Sequence, residues 1–120
     1  MDAALLLIIA GIFLMLWMLK QGGQISAPAA RAHLEHGALV IDVRSPGEFQ
    51  SGHLARAINI PLDELESGVP ARVKDKNQVL LLHCLSGTRS GMARRQLRNM
   101  GYRNVFNLGS LARARNILAG

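Results

Sequence analysis

The longest apolar pattern in the chain lies near its N-terminus. Residues 3–19, AALLLIIAGIFLMLWML, contain no charged side chain. A helix of this length reaches about 26 Å, which is at the short end of what spans a bilayer core. A short flexible linker, KQGGQ at 20–24, follows it. We therefore predict an N-terminal transmembrane anchor with its linker over residues 1–23 and one folded domain over residues 24–120.

A cleaved signal peptide and a buried helix are the two other interpretations of this block. APAA at 27–30 offers small residues for cleavage, but the block is longer than a usual signal-peptide core and no basic side chain precedes it. A helix that is apolar on every side would need burial all round, which a small domain hardly offers. Asp2 precedes the block whereas Lys20 and Arg31 follow it. The positive-inside rule then predicts an inner, cytoplasmic membrane location with the domain facing the cytoplasm.

Beyond the linker, short apolar runs alternate with helical patterns. Buried strands are predicted at 38–42 (ALVID), 57–60 (AINI), 78–83 (QVLLLH) and 104–108 (NVFNL). Helices are predicted at 26–36, 62–68, 90–101 and 110–118. Strands that alternate with helices form a mainly parallel sheet that is covered on both faces. The predicted fold class is therefore α/β.

The charge of the chain, +6 overall, is concentrated in its second half. From Ser67 onward, Asp75 is the one acidic residue against ten lysines and arginines. Such a basic half suits nucleic acid, an anionic membrane surface or an anionic small substrate. Nucleic acid is disfavoured, because aromatic residues make up only 4% of the chain and no nucleic-acid-binding motif occurs.

The single cysteine, Cys84, directly follows the strongest predicted strand. In parallel α/β sheets, ligands bind beyond the carboxyl ends of the strands. A helix is predicted to start a few residues later, and the free N–H groups of a helix N-terminus stabilise a thiolate. Gly87 lets the loop curl so that its N–H groups form an anion-binding nest. Free cysteine is usually a small core residue, but strand end, GTRS and helix start together favour a nucleophile.

Two segments resemble a single-domain rhodanese, a sulfurtransferase: IDVRSPGEFQSGHLARAINIPLDEL at 41–65 and HCLSGTRS at 83–90. The family's Asp-x-Arg, Gly-His-(Ile/Leu)-x-x-Ala and Asn-(Ile/Val)-Pro elements occur in order, and GYRNVFNLGS at 101–110 is similar to its closing segment. The chain departs from the family at Ser110, where a second glycine is common, and it has no tryptophan after Trp17. The resemblance implies a three-layer, rhodanese-like fold with a small sheet of four to five strands.

The resemblance also implies a thiosulfate-type sulfurtransferase that works through a persulfide. The thiolate of Cys84 would take the outer sulfur of thiosulfate, or of a persulfide donor, and pass it to a thiol or cyanide acceptor. Arg89 would hold the anionic oxygens of the donor. The loop expected to bind the persulfide comprises Leu85, Ser86, Gly87, Thr88, Arg89 and Ser90. No cofactor and no metal are implied, and a cysteine desulfurase or a sulfur-carrier protein is a candidate partner.

Three alternatives to this enzyme stay open. The first is a relay that passes persulfide sulfur between proteins and has little small-molecule turnover; it would need the same loop. A non-catalytic interaction module is disfavoured by the intact Cys84 and Arg89. A phosphatase or arsenate reductase loop also begins with His-Cys, but it places arginine six positions after the cysteine. Here Arg89 is the fifth residue after Cys84, and Ser90 is the sixth.

The remaining polar candidates are given supporting roles. Asp42 and Arg44 follow the first predicted strand, and we expect them to form a hydrogen-bonded ion pair that shapes the loops. We expect His83 to be structural, because alternation along the strand points it away from Cys84. His33 and His36 share a helix face but have no visible third ligand, so we predict no metal site.

Overall fold

A computed structural model describes residues 2–21 and 23–120, without the side chains of residues 18–21. The helices are α1 (Ala3–Gln21), α2 (Ala27–Glu35), α3 (Pro46–Ser51), α4 (Leu65–Arg72), α5 (Thr88–Asn99) and α6 (Leu111–Ala119). The strands are β1 (Leu39–Asp42), β2 (Ala57–Asn59), β3 (Leu80–His83) and β4 (Val105–Gly109). A short 3-10 turn, Leu62–Glu64, precedes α4.

The four strands form one parallel sheet in the order β2-β1-β3-β4. Strand β3 lies inside the sheet, and all four of its residues are fully buried. Its side chains alternate between two hydrophobic clusters: Leu80 and Leu82 join the cluster that includes α4 and α5, whereas Leu81 joins the one that includes α2 and α6. The predicted α/β class, with helices on both faces of a parallel sheet, is therefore confirmed.

Helix α5 starts two residues earlier than the sequence pattern predicts. The φ angle of Gly87 is +98°, a left-handed conformation that glycine adopts readily. This residue turns the chain straight from the cysteine loop into the helix. Thr88 and Arg89 therefore belong to the first turn of α5 and not to the preceding loop.

The outer edge of strand β4 is covered by the segment that follows the linker and by arginines. The N–H of Ile25 donates to Asn107 O at 2.9 Å, and Arg94 Nε donates to Val105 O at 3.1 Å. Arg113 Nη1 donates to Leu108 O at 2.7 Å. A bare edge strand would offer these carbonyls to another chain. Part of the basic charge of the second half thus protects the sheet edge.

Helix α1 exposes its apolar side chains, including Leu7 (74% exposed) and Phe13 (70%). No helix in the described part of the chain is long and apolar enough to cross a membrane. The transmembrane span predicted for residues 3–19 is therefore not supported, although the side chains of its last two residues lie outside those described.

Candidate active site

The cysteine loop lies at the carboxyl end of the sheet, tied to the end of β4. Cys84 N donates to Gly109 O at 3.3 Å, and Leu111 N donates to Leu85 O at 3.1 Å. The backbone of Gly87 passes close to that of Gly109, so that a Cβ added at Gly87 would lie 3.3 Å from Gly109 Cα. Glycine is needed at residue 87 for this close approach as well as for its positive φ.

The sulfur of Cys84 is surrounded by hydrogen-bond donors. Gly87 N–H lies 3.0 Å from Sγ, and the N–H and hydroxyl of Ser90 each lie 3.5 Å from it. Burial raises the pKa of the Cys84 thiol, but the Ser90 hydroxyl and the N–H groups of Ser90, Gly87 and Ser86 outweigh it and hold the pKa below its ordinary value. The arrangement therefore stabilises a thiolate, the reactive form of cysteine.

Of the six residues predicted to form the persulfide-binding loop, some donate hydrogen bonds to this sulfur and others do not. Gly87 and Ser90 bind it directly, and the N–H of Ser86 favours its negative charge. Among the hydrogen bonds of the described residues, none joins Leu85, Thr88 or Arg89 to Sγ. The side chain of Leu85 is instead exposed to solvent, at 55%.

Replacing Ser90 tests how the site lowers the thiol pKa. We expect Ser90→Ala to raise the pKa of Cys84, because the hydroxyl is the largest of the contributions that lower it. Less thiolate would form near neutral pH, so alkylation by iodoacetamide should become slower there and recover at higher pH. The measurement is the alkylation rate against pH, with Ser67→Ala, an exposed serine of α4, as the matched control. An unshifted profile would show that the backbone donors alone set this pKa.

Arg89 is bound by a carboxylate that sequence analysis did not single out. Its Nη1 donates to Glu48 Oε1 at 2.7 Å, and its Nη2 donates to Glu48 Oε2 at 3.0 Å. The hydrogen bonds from Arg89, followed by those from Ser45, lower the pKa of Glu48 to about 2. The available signal was the capping-box pattern from Ser45 to Glu48, which fixes a helix start but does not identify a partner 41 residues away.

Asp42 and Arg44 form the expected ion pair beneath the loops. Arg44 Nη2 donates to Asp42 Oδ2 at 2.8 Å and to Gly52 O at 2.8 Å. Both side chains are buried, at 0% and 5% exposure respectively. Because Gly52 ends helix α3, the pair fixes the helix that carries Glu48.

The side chain of His83 is buried beside this pair, with its Nε2 3.7 Å from Asp42 Oδ2. Its Nε2 has no hydrogen-bond partner among the described residues. Burial lowers the pKa of His83, which keeps the imidazole neutral near pH 7. Its Nδ1 lies 3.3 Å from Cys84 O, so the structural role expected for this residue fits its position.

Other histidines have local contacts. His33 stacks on Phe106 with ring centroids 5.0 Å apart, and His36 Nδ1 lies 2.8 Å from Ala32 O. Among the described residues, no group of three or more histidine, cysteine, aspartate or glutamate side chains is placed to hold a metal ion.

These features define a class of protein: a small parallel α/β domain that holds a cysteine sulfur among hydrogen-bond donors between a strand end and a helix start. The model of the rhodanese-like domain family matches residues 26–112. The chain therefore belongs to the rhodanese family. The match begins just inside the predicted domain 24–120, whose bounds stay a prediction.

Three known proteins show the range of this similarity. The chain is 44% identical over 71 residues to thiosulfate sulfurtransferase PspE of Escherichia coli strain K12, covering 59% of this chain and 68% of PspE. The solved human single-domain sulfurtransferase TSTD1 matches with a TM-score of 0.67 and 30% identity, over 78% of this chain and 96% of that one. A rhodanese from E. coli, solved with anions, has a TM-score of 0.62 and 40% identity, over 64% and 91% respectively. The chain is thus a rhodanese-like domain with thiosulfate sulfurtransferase relatives.

Proposed function

We propose that the chain is a thiosulfate-type sulfurtransferase that carries sulfane sulfur as a persulfide on Cys84. The observation that carries the proposal is the sulfur held within 3.0 Å of Gly87 N–H and 3.5 Å of both Ser90 donors. The similarity to PspE, whose name states this activity, also supports it.

The proposed reaction has two displacement steps at sulfur. The Cys84 thiolate attacks the outer sulfur of thiosulfate, a new S–S bond forms, and the old S–S bond breaks with its electron pair leaving on sulfite. The product is a deprotonated Cys84 persulfide, so the total charge is unchanged. Cyanide or a thiolate then attacks the terminal sulfur, and the S–S bond of the persulfide breaks with its electron pair on the sulfur of Cys84. The products are the free Cys84 thiolate and either thiocyanate or the persulfide of the acceptor. The loop N–H groups stabilise the negative charge throughout.

The contacts of Arg89 favour this chemistry over phosphoryl transfer. A phosphatase loop surrounds its oxyanion with an arginine, whereas the guanidinium here is bound to Glu48 at 2.7 and 3.0 Å. The physiological donor is proposed to be thiosulfate or a protein persulfide, as on a cysteine desulfurase or a sulfur-carrier protein. The protein-to-protein relay uses the same site.

The test is sulfur loading of the full-length chain, purified in a mild detergent. We expect its intact mass to increase by one sulfur atom after incubation with thiosulfate. Cyanide should then remove that sulfur and release an equal amount of thiocyanate. No gain with thiosulfate, but a gain with a loaded cysteine desulfurase, would favour the relay; no gain with either donor would contradict the proposal.

We also propose that residues 3–19 attach the protein to the inner membrane, with the domain facing the cytoplasm. The exposed apolar side chains of α1, such as Leu7 and Phe13, support attachment. The flanking charges support the orientation. The test compares flotation with lipid vesicles of the full chain and of a Leu7→Lys, Phe13→Lys variant. Equal flotation of the two would contradict attachment through α1.

A further inference from the structure

The ion pair between Glu48 and Arg89 already neutralises the cation at the start of α5, next to the cysteine loop. The two side chains meet through two parallel hydrogen bonds of 2.7 and 3.0 Å. About a third of each side chain is exposed, 32% for Glu48 and 35% for Arg89. The pair is therefore at the surface, where an anionic substrate approaching the loop would meet it.

The carboxylate of Glu48 is held in place before any substrate arrives. It accepts hydrogen bonds from the N–H and the hydroxyl of Ser45, at 3.2 and 3.0 Å. At its far end, helix α3 is fixed by the hydrogen bond from Arg44 to Gly52 O. Little side-chain freedom is lost when Glu48 binds Arg89, so a donor anion has to compete with a preorganised partner.

The loop still offers its N–H groups to a reacting sulfur, because these point to Sγ and not to Glu48. Glu48 therefore affects the anionic oxygens of the donor and not its outer sulfur. A carboxylate beside a binding site repels an anion in proportion to the charge of that anion. A dianionic donor is disfavoured more than a singly charged donor with the same reactive sulfur.

We propose that Glu48 is a specificity-determining residue: its carboxylate occupies Arg89 and weakens the binding of dianionic sulfur donors relative to monoanionic ones. This inference rests on the proposed sulfurtransferase function. Within that function, the site would prefer sulfur donors that carry fewer anionic oxygens than thiosulfate does.

Thiosulfate and methanethiosulfonate are the matched donors for this inference. The second has a methyl group in place of one anionic oxygen, so it carries one negative charge where thiosulfate carries two. The Cys84 thiolate attacks the outer sulfur of either donor to form the same deprotonated persulfide. The S–S bond of the donor breaks, and its electron pair leaves on sulfite from the first donor and on methanesulfinate from the second.

The experiment compares the wild-type chain with Glu48→Gln. The rate of sulfur loading is followed by intact mass in a single turnover at increasing donor concentration, which gives the half-saturating concentration of each donor. We expect Glu48→Gln to lower this concentration about tenfold for thiosulfate and about threefold for methanethiosulfonate, because the electrostatic free energy scales with the charge of the donor. Glutamine also satisfies a capping box, so the start of α3 is retained.

Glu35→Gln is the matched control. Glu35 is exposed at the end of α2, which precedes β1 and lies at the opposite end of the sheet from Cys84. The substitution removes the same charge and should leave both half-saturating concentrations unchanged. Glu48→Asp, which keeps the charge but shortens the side chain, serves as the second variant if Glu48→Gln does not fold. It should weaken the contact with Arg89 and lower the thiosulfate value less than threefold.

The outcomes separate this inference from the proposed function. Two results would overturn the inference alone, provided that the wild type is loaded with sulfur. One is an equal change in the half-saturating concentrations of both donors in Glu48→Gln, and the other is a higher half-saturating concentration of thiosulfate in that variant. A higher value would mean that Glu48 positions Arg89 to bind the donor. No loading of any variant with either donor would overturn the proposed function and this inference with it.

Discussion

We expect Cys84→Ser to take up no sulfur from thiosulfate. A serine hydroxyl is not deprotonated near neutral pH, and no other thiol exists in the chain to replace Cys84. The donors at 3.0 to 3.5 Å from Sγ stabilise a thiolate, but they cannot provide the missing nucleophile. The effect on activity is the largest expected of any single substitution in the chain.

The same substitution should leave the fold intact. Serine is close to cysteine in size, and Gly87 N–H still finds an acceptor in its oxygen. The measurements are the intact mass after thiosulfate and the unfolding midpoint in urea, each against the wild type. A Cys84→Ser chain that folds and still gains one sulfur would remove Cys84 from the mechanism. A chain that does not fold calls for Cys84→Ala, for which the same absence of loading is expected.

The position of Cys84 could be predicted because each local pattern around it agrees with the fold. The apolar run before it has the composition of a strand buried on both faces, and β3 is fully buried. A cysteine at the end of such a strand lies at the edge of a parallel sheet where ligands bind. The helix start was misplaced by two residues, because glycine adopts either sign of φ readily and the local sequence does not show which sign is used. The positive φ of Gly87 goes with its close approach to Gly109 at the end of β4, a contact between residues far apart in the sequence.

The partner of Arg89 could not be predicted from the sequence. Glu48 and Arg89 are 41 residues apart and meet only because α3 and the start of α5 lie at the same end of the sheet. A local pattern such as the capping box reports on neighbouring residues. By contrast, the contact between Asp42 and Arg44 joins residues two positions apart, and it could be expected from the sequence.

We expect Arg44→Ala to destabilise the protein by about 3 kcal/mol, because it leaves the fully buried carboxylate of Asp42 without its cation. The hydrogen bond from Arg44 to Gly52 O, which fixes the end of α3, is lost as well. The measurement is the free energy of unfolding in urea. Arg56→Ala is the matched control, since Arg56 is exposed and donates one hydrogen bond to Leu34 O; its cost should be about 1 kcal/mol or less.

The imidazole of His83 provides a second measurement on the Arg44→Ala variant. Burial, aided by the positive charge of Arg44, lowers the pKa of His83 in the wild type, whereas the carboxylate of Asp42 opposes this shift. Without Arg44, burial alone opposes the carboxylate 3.7 Å away, so the pKa of His83 should rise. Titration of the His83 ring by NMR would show this rise in the Arg44→Ala variant. The same titration of the Arg56→Ala variant should show no change. An unchanged His83 titration together with a small loss of stability would mean that water, and not the buried ion pair, satisfies Asp42.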